Sequence, residues 1–580
     1  MILKYLNPKS RVLVLALVIM IAIQVYLDLR IPEYMNSMTD AILDGTAGEL
    51  MWNYGVGMAG CALLSLVVSL IAGYIAAYVT GQLCRDLRIK QFAKVQQFSS
   101  EDVGDITIAS LITRSTSDVY QIQIYVARGL LVLTRAPILA VWALMKIAGG
   151  NWQWTTATAV AVVIIVIVVM FIINRTRYYY KKVQWLTDGI NRVTGESIEG
   201  VRTVRAYNAE EYQLDRLEKA NEDLIKNNLS ALKYSAPMYP FTSFMQNFLT
   251  LSIYWIGAGI ISSTPDNGEQ LLLFSDMIVF TSYALQVVSA FLMITGMMRV
   301  LPRAMVASQR VQEVIEREPT IDDGTETEGV AGSEGGIRMD HVTFSYPGSK
   351  HPAVRDISLE VNKGETLALI GPTGSGKSTV VRLMCRMYDP EKGVVEVAGR
   401  DVKEYKQKEL HNQFGYVPQS AVIFSGSVRY NVNYGTHSKE RSEEDIWEAL
   451  RVAQSEDFVR EMEGGLDAPI SQHGRNISGG QKQRIGIARA ICKRPDIYIF
   501  DDSFSALDFK TDIALRSALR EKTKDSTVVI VAQRVGTIMN ADRIVVMDGG
   551  EIVGVGTHDE LMESCPLYNS IATLQFSEVS

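Results

Sequence analysis

The chain has 580 residues, of which 47% are hydrophobic and 21% are charged, and its formal net charge is −7. Because this length exceeds what one hydrophobic core supports, several domains are expected. An acidic chain without a long basic patch argues against a nucleic-acid partner, and cysteines without a CxxC spacing argue against a zinc site or a disulfide framework.

Apolar stretches in the first half of the chain predict six membrane-spanning helices, since each approaches the roughly 20 residues that a bilayer requires. The fourth contains the uncharged run TTATAVAVVIIVIVVMFII, which suits a bilayer core and would aggregate in water. The predicted spans are 11–28, 54–80, 128–148, 153–173, 244–264 and 271–298.

Basic residues lie beside one end of these spans and predict their orientation. Arg11 precedes the first span, Arg85 and Arg88 follow the second, and Arg175 follows the fourth. The segment GGN at 149–151, at the opposite end, has no basic residue. The basic ends are therefore expected to face the cytoplasm, which predicts a multi-pass plasma-membrane protein with both termini inside.

The segments between the spans are expected to continue as helices into the cytoplasm, because 85–127 and 175–240 are too long and too helical in pattern for loops. Each helix pair needs a turn at its far end. Gly104 and the sequence EGVRTVRAYNAEE at 199–211 are the candidates, since glycine interrupts helices and the flanking charges suit exposed contacts.

An acidic, glycine-bearing stretch at 316–336 is typical of a linker. It separates a predicted transmembrane domain, residues 1–315, from a predicted soluble domain, residues 337–580. Short strand-like and helical segments alternate in the soluble domain, which indicates an α/β fold.

The strand TLALI runs into GPTGSGKST, which fits the phosphate-loop pattern G-x-x-x-x-G-K-[ST]. Its glycines let backbone N–H groups surround phosphate oxygens, Lys377 neutralises the outer phosphates, and Ser378 holds magnesium at a helix N-terminus. Asp501, after the strand IYIF, is the second predicted magnesium ligand. The predicted ATP contacts in the loop are Gly371, Thr373, Gly374, Ser375, Gly376, Lys377, Ser378 and Thr379.

A second glycine turn, ISGGQ, opens another helix and offers a further anion site. The two phosphate-binding elements either fold onto one nucleotide or are shared between two chains, and spacing alone leaves both arrangements open. The residues of this turn are Ser478, Gly479, Gly480 and Gln481.

The phosphate loop, VPQ ending at Gln419, ISGGQ, IYIFDD and SALD follow six spans in the order that resembles an ATP-binding cassette exporter subunit. The resemblance covers nearly the whole chain. It implies a multidomain protein with a six-helix all-α transmembrane domain and long cytoplasmic helix extensions, followed by an α/β P-loop nucleotide-binding domain. It also implies that the signature turn contacts ATP held by the opposite subunit, so that two cassettes enclose two nucleotides.

The same resemblance assigns roles to further positions. Tyr346 resembles the aromatic residue that stacks on adenine, although a tyrosine that only packs on a strand is the alternative. Gln419 resembles the glutamine that contacts magnesium and couples to the membrane domain, and Asp508 the acid that signals between sites. The stretches near 104–110 and 205–212 resemble the coupling helices that dock on the cassettes.

The sequence departs from the family where ATP is cleaved. Asp502 stands where glutamate usually activates the attacking water, and its carboxylate reaches about 1.5 Å less far. A general base must lie within roughly 2.6 to 3.2 Å of its proton. Gln533 replaces the switch histidine and carries no titratable proton near neutral pH. Gln472 stands where exporters commonly have a glutamate before the signature, which puts the usual crosstalk with the coupling helices in doubt.

The residues that bind ATP are retained, whereas those that cleave it are altered. This pattern predicts a heterodimer with one competent site, built from a partner's Walker motifs and this chain's signature. The alternatives are a slow homodimer, a lipid or peptide exporter, and a non-transporting membrane ATPase that acts as a sensor. Expected cofactors are ATP and Mg²⁺. Expected partners are a second half-transporter subunit, membrane lipids and a small hydrophobic substrate, for which multidrug efflux is implied by the resemblance alone. Asp276 and Lys146 are the evident charges in the spans and do not identify the substrate.

Overall fold

The computed structural model describes residues 2–43, 47–298, 300–333, 335–435 and 441–577. The chain forms two compact units. The first comprises Met1–Gln96 and Ile108–Arg317, and the second comprises Gln97–Thr107 and Glu318–Ser580. The segment Gln97–Thr107, between the second and third spans, therefore belongs to the same unit as Glu318–Ser580.

Long apolar helices build the first unit. Across the described residues, six stretches are long and apolar enough to cross a membrane, which confirms the predicted number of spans. A π-helical segment, Arg114–Asp118, lies within the third of them, Ile108–Ala148. The helices up to residue 316 are α1 (Pro8–Leu43), α2 (Ala47–Val95), α3 (Ser100–Ile106), α4 (Ile108–Thr113), α5 (Val119–Ala148), α6 (Trp152–Glu199), α7 (Val201–Ala206), α8 (Glu210–Ser235), α9 (Met238–Ser262), α10 (Asn267–Met298) and α11 (Leu301–Glu316).

The predicted helix extensions are confirmed. Helices α2 and α6 have 49 and 48 residues, more than twice the roughly 20 that a bilayer requires. Helix α6 begins at the Asn151 cap, whose side chain accepts from the N–H of Gln153 at 2.9 Å, and it ends at Gly200. The GGN segment therefore forms a tight turn between α5 and α6.

Small residues let the helices of the first unit pack closely. Ala136 and Ala143 of α5 and Ala284 of α10 are fully buried in one apolar cluster. A charged pair also lies within the unit, since Asp28 accepts from Arg135 Nη2 at 2.8 Å. Arg135 falls inside the third predicted span, so the expectation that Asp276 and Lys146 are the evident span charges was incomplete.

The second unit has an α/β architecture. Its strands are β1 (Ile337–Phe344), β2 (Val354–Val361), β3 (Thr366–Ile370), β4 (Lys392–Val397), β5 (Arg400–Asp401), β6 (Phe414–Val417), β7 (Gly426–Ser427), β8 (Pro469–Ile470), β9 (Ile497–Asp501), β10 (Thr527–Val531), β11 (Arg543–Asp548) and β12 (Glu551–Gly556). Its remaining helices are α12 (Lys377–Met384), α13 (Gln407–Asn412), α14 (Val428–Val432), α15 (Glu443–Val452), α16 (Glu456–Glu461), α17 (Gly479–Lys493), α18 (Phe509–Lys522), α19 (Val535–Ile538), α20 (His558–Ser564) and α21 (Pro566–Ser577).

The main sheet has the strand order β12-β11-β3-β10-β9-β6, in which β11, β3, β10, β9 and β6 run parallel. A smaller antiparallel sheet has the order β2-β1-β4-β5. Strands β9 and β10 are buried at every position, which explains their apolar runs IYIF and VVIV. Because parallel strands end at one edge of a sheet, the residues after β3, β9 and β10 meet there.

Two short helices lie near the ranges predicted for the coupling helices. The short helices α3 and α7 start at residues 100 and 201, whereas the predicted ranges start at 104 and 205. Gly104 lies inside α3, and the chain turns at Thr107, which has φ 66°. The cause is a capping box between Ser99 and Asp102, which starts the helix early and stabilises it across the glycine.

The predicted linker at 316–336 is packed on the second unit over most of its described residues; Glu334 lies outside them. The Gly324 N–H donates to Tyr405 O at 3.0 Å, and Val330 N–H to Ala398 O at 2.8 Å. A Cβ on Gly324 would lie 2.1 Å from a backbone oxygen, so this glycine permits close approach. The stretch whose composition is typical of a linker, here called the strap, is therefore ordered against the second unit.

Candidate functional site

Glycines shape the loop between β3 and α12. Gly371 has φ 151° and Gly376 has φ 97°, which side-chain-bearing residues rarely adopt. A Cβ on Gly371 would lie 2.0 Å from Met547 O, and one on Gly376 would lie 2.8 Å from Ala353 O. The neighbouring strands therefore fix the path of the loop. Thr373 and Gly374 lie exposed at its tip.

Lys377 is buried inside the loop at its junction with α12. Its Nζ donates to Gly371 O at 2.9 Å, to Pro372 O at 2.7 Å and to Ser375 Oγ at 3.2 Å. Burial lowers the pKa of Lys377, while the nearby carboxylates of Asp502 and Asp501 oppose that shift. The loop thus holds a cation where a P-loop places the outer phosphates of its ligand.

Ser378 and Asp501 bring a hydroxyl and a carboxylate together near that lysine. Ser378 Oγ donates to Asp501 Oδ1 at 2.7 Å, and Asp501 is 2% exposed. Burial raises the pKa of Asp501, and the Ser378 hydrogen bond opposes the rise. A hydroxyl and a carboxylate suit Mg²⁺, which takes few protein ligands and completes its shell with phosphate and water oxygens. The described part of the chain has no group of three or more His, Cys, Asp or Glu placed to hold a metal.

Asp502 and Gln533, two of the three residues that differ from the family pattern, contact each other. Asp502 follows β9 with φ 50° and is 8% exposed. Its Oδ2 accepts from Gln419 Nε2 at 3.2 Å and from Gln533 Nε2 at 2.9 Å. Two amide donors therefore engage one carboxylate oxygen. The predicted magnesium contact Gln419 is placed on Asp502 by this bond.

Tyr346 and Thr379 are linked beside the loop. The Tyr346 hydroxyl lies 3.1 Å from Thr379 Oγ1 and accepts from Arg382 at 3.0 Å. Its ring is edge-on to Phe344 and Tyr388, with centroid distances of 5.1 Å and 5.4 Å. The tyrosine is thus brought to the phosphate-loop helix and also packs on β1, so both predicted roles are compatible with its position.

The signature turn, residues 478–481, forms the exposed N-terminus of helix α17. Ser478 Oγ accepts from the Gln481 N–H at 3.3 Å, and Gln481 Oε1 accepts from the Ser478 N–H at 2.8 Å. This reciprocal capping box starts α17. Ser478 and Gly479 are exposed, so the helix N-terminus faces outward from this unit.

Asp508 and Gln472 lie on other turns. Asp508 caps α18 by accepting from the Thr511 N–H at 3.0 Å, and this bond lowers the pKa of Asp508. Gln472 is exposed in the short 3₁₀ turn Gln472–Gly474. The hydrogen bond from Thr511 thus favours the ionised form of Asp508, whereas Gln472 presents an uncharged side chain.

Asp102 is a residue that motif reasoning missed. It is fully buried, and its Oδ2 accepts from the backbone N–H groups of Ser99 at 3.1 Å and Thr320 at 3.0 Å. The two hydroxyls lie 3.1 and 3.3 Å from the same oxygen. Asp102 therefore joins the turn that begins α3 to the strap that precedes β1. A capping-box pattern signals its bond to Ser99, but no local pattern signals Thr320.

Replacing Asp102 by Ala is expected to destabilise the second unit by about 3 kcal/mol, because buried N–H donors lose their acceptor. Its apparent Tm, measured by calorimetry on the full chain in detergent, should fall by about 6 to 12 °C. Asp525→Ala, at an exposed position of the same unit, is the control and should change stability by less than about 0.5 kcal/mol. Equal effects of the two variants would contradict this role of Asp102.

Comparisons with known proteins agree with this geometry. Residues 14–291 match the family model for the ABC transporter transmembrane region, and residues 354–505 match the family model described as ABC transporter. An uncharacterized ABC transporter ATP-binding protein of Mycobacterium tuberculosis is 37% identical over 551 residues, which is 93% of each chain. An ATP-dependent lipid A-core flippase of Vibrio parahaemolyticus is 28% identical over 94% of this chain and 93% of the flippase. The structure of a bacterial Atm1-family ABC exporter with ATP bound shares the fold, with TM-score 0.84, 22% identity and 99% coverage of both chains.

The chain therefore belongs to the ABC transporter family. It is a multi-pass membrane protein that joins one membrane domain to one ATP-binding domain, the organisation of a half-transporter that dimerises. It is a subunit of an ATP-driven transporter, and its ATP-binding domain makes it an ABC-type ATPase.

Proposed function

We propose that this chain is the ATP-holding subunit of a heterodimeric exporter. In this proposal its own site binds ATP and cleaves it poorly, while its signature turn completes the competent site of a partner subunit. The observation that carries the proposal is the pair of amide hydrogen bonds, from Gln419 and Gln533, on one oxygen of Asp502.

This arrangement opposes the use of Asp502 as a general base. A base needs a carboxylate lone pair within roughly 2.6 to 3.2 Å of the proton of the attacking water. Asp502 is one methylene shorter than glutamate, about 1.5 Å, and its Oδ2 already accepts two hydrogen bonds. Gln533 cannot carry a proton near neutral pH. Loss of one preorganised transition-state contact typically costs about 10² to 10³ in rate.

The parts that bind ATP are intact. Lys377 is positioned to neutralise the outer phosphates, and we assign Mg²⁺ to Ser378 and Asp501, with Gln419 close by. Bound Mg²⁺ would neutralise charge on the phosphates. Tyr346, held by Thr379 and Arg382, is assigned to the adenine side of the site. The chain can therefore hold ATP tightly without the groups that complete hydrolysis.

The exposed signature supports sharing between subunits. Ser478 and Gly479 form a capped helix N-terminus that faces out of the unit and suits an anion held by another chain. In the proposed dimer, this chain gives the signature to the partner's nucleotide and receives the partner's signature over its own.

We assign hydrophobic or amphipathic compounds as the substrate class and the plasma membrane, with both termini cytoplasmic, as the location. A lipid exporter is the second candidate, because a relative covering 94% of this chain is named as a lipid A-core flippase. Inverted vesicles containing the heterodimer should take up a hydrophobic cationic dye when ATP is added. Flux of labelled phospholipid without dye uptake would favour the lipid exporter.

Photolabelling tests whether the partner's site hydrolyses ATP while this chain's site retains it. The chain is co-expressed with a half-transporter that has both the glutamate and the switch histidine, and labelled with 8-azido-[α-³²P]ATP during turnover with vanadate. Nucleotide bound to the partner should be ADP, and nucleotide bound to this chain should remain ATP. ADP trapped equally on both chains would contradict the proposal.

A further inference from the structure

The last described helix contacts the loop that carries Gln533. Gln575 Nε2 donates to Gln533 O at 2.7 Å, and Gln575 Oε1 accepts from the Val535 N–H at 2.7 Å. One side-chain amide thus bonds to the backbone on both sides of Arg534. A group that is both donor and acceptor is required for this pair of bonds, and glutamine provides both.

Helix α21 holds Gln575 independently of that loop. Tyr568 and Ala572 are fully buried in the same apolar cluster as Val535. The Tyr568 hydroxyl also lies 2.7 Å from His558 Nδ1. Because these contacts anchor the helix one and two turns before Gln575, the helix remains docked when the Gln575 side chain is changed.

The sheet holds the other side of the same loop. The Asp502 N–H donates to Val531 O at 3.0 Å, and the Ala532 N–H donates to Leu369 O at 3.1 Å. Residues 533–535 therefore lie between the sheet edge and Gln575. Their backbone position determines where the Gln533 amide reaches, and that amide is one of the two donors to Asp502.

We propose that Gln575 is a positioning residue for the ATP site of this chain. By fixing the backbone from Gln533 to Val535, it keeps the Gln533 amide on Asp502 and stabilises the ATP-holding arrangement. The inference rests on the proposed function, because it explains how this chain retains ATP at its own site. Through Gln575, helix α21 therefore influences how long ATP stays bound at this chain's own site.

The test measures how long ATP stays on each chain of the heterodimer. The complex is loaded with 8-azido-[γ-³²P]ATP, chased with unlabelled ATP, irradiated at intervals and separated on a gel, while released phosphate is counted. Gln575→Met keeps the size of the side chain but removes both hydrogen bonds. It should shorten the lifetime of ATP on this chain by about 5- to 10-fold, as expected for the loss of two net hydrogen bonds.

Two further variants separate positioning from general damage. Gln575→Glu keeps the acceptor for the Val535 N–H but loses the donor to Gln533 O, so its lifetime should lie between native and Gln575→Met. Thr573→Ala, at an exposed position on the same helix, should leave the lifetime unchanged. The ATPase rate at the partner site should stay within about twofold in all three variants, which a misfolded cassette would not allow.

The assay distinguishes failure of this inference from failure of the proposed function. If the native chain hydrolyses its labelled ATP and releases phosphate as fast as the partner does, the proposed function fails. The inference is then judged by whether Gln575→Met changes the rate of phosphate release from this chain. A native-like lifetime or rate in Gln575→Met, or an equal change in Thr573→Ala, would overturn the role of Gln575.

Discussion

Replacing Asp502 by Glu together with Gln533 by His is expected to give this chain's own site measurable ATP hydrolysis, with a gain of at least about 10²-fold. The glutamate adds the missing methylene, and the histidine supplies a group that titrates near neutral pH. The substitution also removes the Gln533 amide, one of the two donors that engage Asp502 in the native chain. The double variant should exceed either single one, because the two groups act on the same water and phosphate.

The measurement is phosphate release by the heterodimer whose partner site is silenced by changing its catalytic glutamate to glutamine. Adding Lys377→Ala to the double variant should remove the gained activity, since this lysine is the buried cation of the loop. A double variant that binds ATP as the native chain does and still releases no phosphate would contradict the assigned roles of these two positions.

Replacing Gly480 by Asp in the signature turn is expected to lower ATP turnover of the intact heterodimer by about 10² to 10³-fold. The new carboxylate would bring negative charge to the exposed helix N-terminus that is proposed to face the partner's phosphates. A Cβ at this position would lie 3.3 Å from Ala506 O, so the backbone needs only a small adjustment. Loss of turnover would therefore report lost phosphate contact.

Lys377→Ala in the same chain is the contrasting variant. It weakens ATP binding only at the site proposed to be poorly hydrolysing, so turnover at the partner site should fall by less than about tenfold. Steady-state ATPase of both variants, with photolabelling of each chain, separates the two sites. A larger loss from Lys377→Ala than from Gly480→Asp would contradict the proposed division between this chain's signature and its phosphate loop.

Local patterns predicted much of the fold. Apolar runs of span length gave the membrane helices, and the strand TLALI before GPTGSGKST gave the phosphate loop, since both signals depend on adjacent residues. The start of the short helix near Gly104 was not evident from the sequence, because the Ser99 and Asp102 cap outweighs the weak helix-breaking effect of one glycine.

Long-range contacts explain what the sequence did not reveal. Asp502, Gln419 and Gln533 were each singled out, but their meeting at one oxygen depends on three strands that are distant in the chain. Asp102 and Thr320 are 218 residues apart, and no periodic pattern connects them. The strap after residue 317 has the composition of a linker, and only its backbone bonds to the second unit show that it is ordered.

Hydrolysis by the purified chain alone tests most directly whether this polypeptide retains ATP instead of cleaving it. We expect the native chain to bind ATP and to release phosphate at a background rate that Asp502→Asn leaves unchanged within about twofold. Rapid phosphate release by the native chain that Asp502→Asn abolishes would contradict the account, because Asp502 would then be acting as the general base.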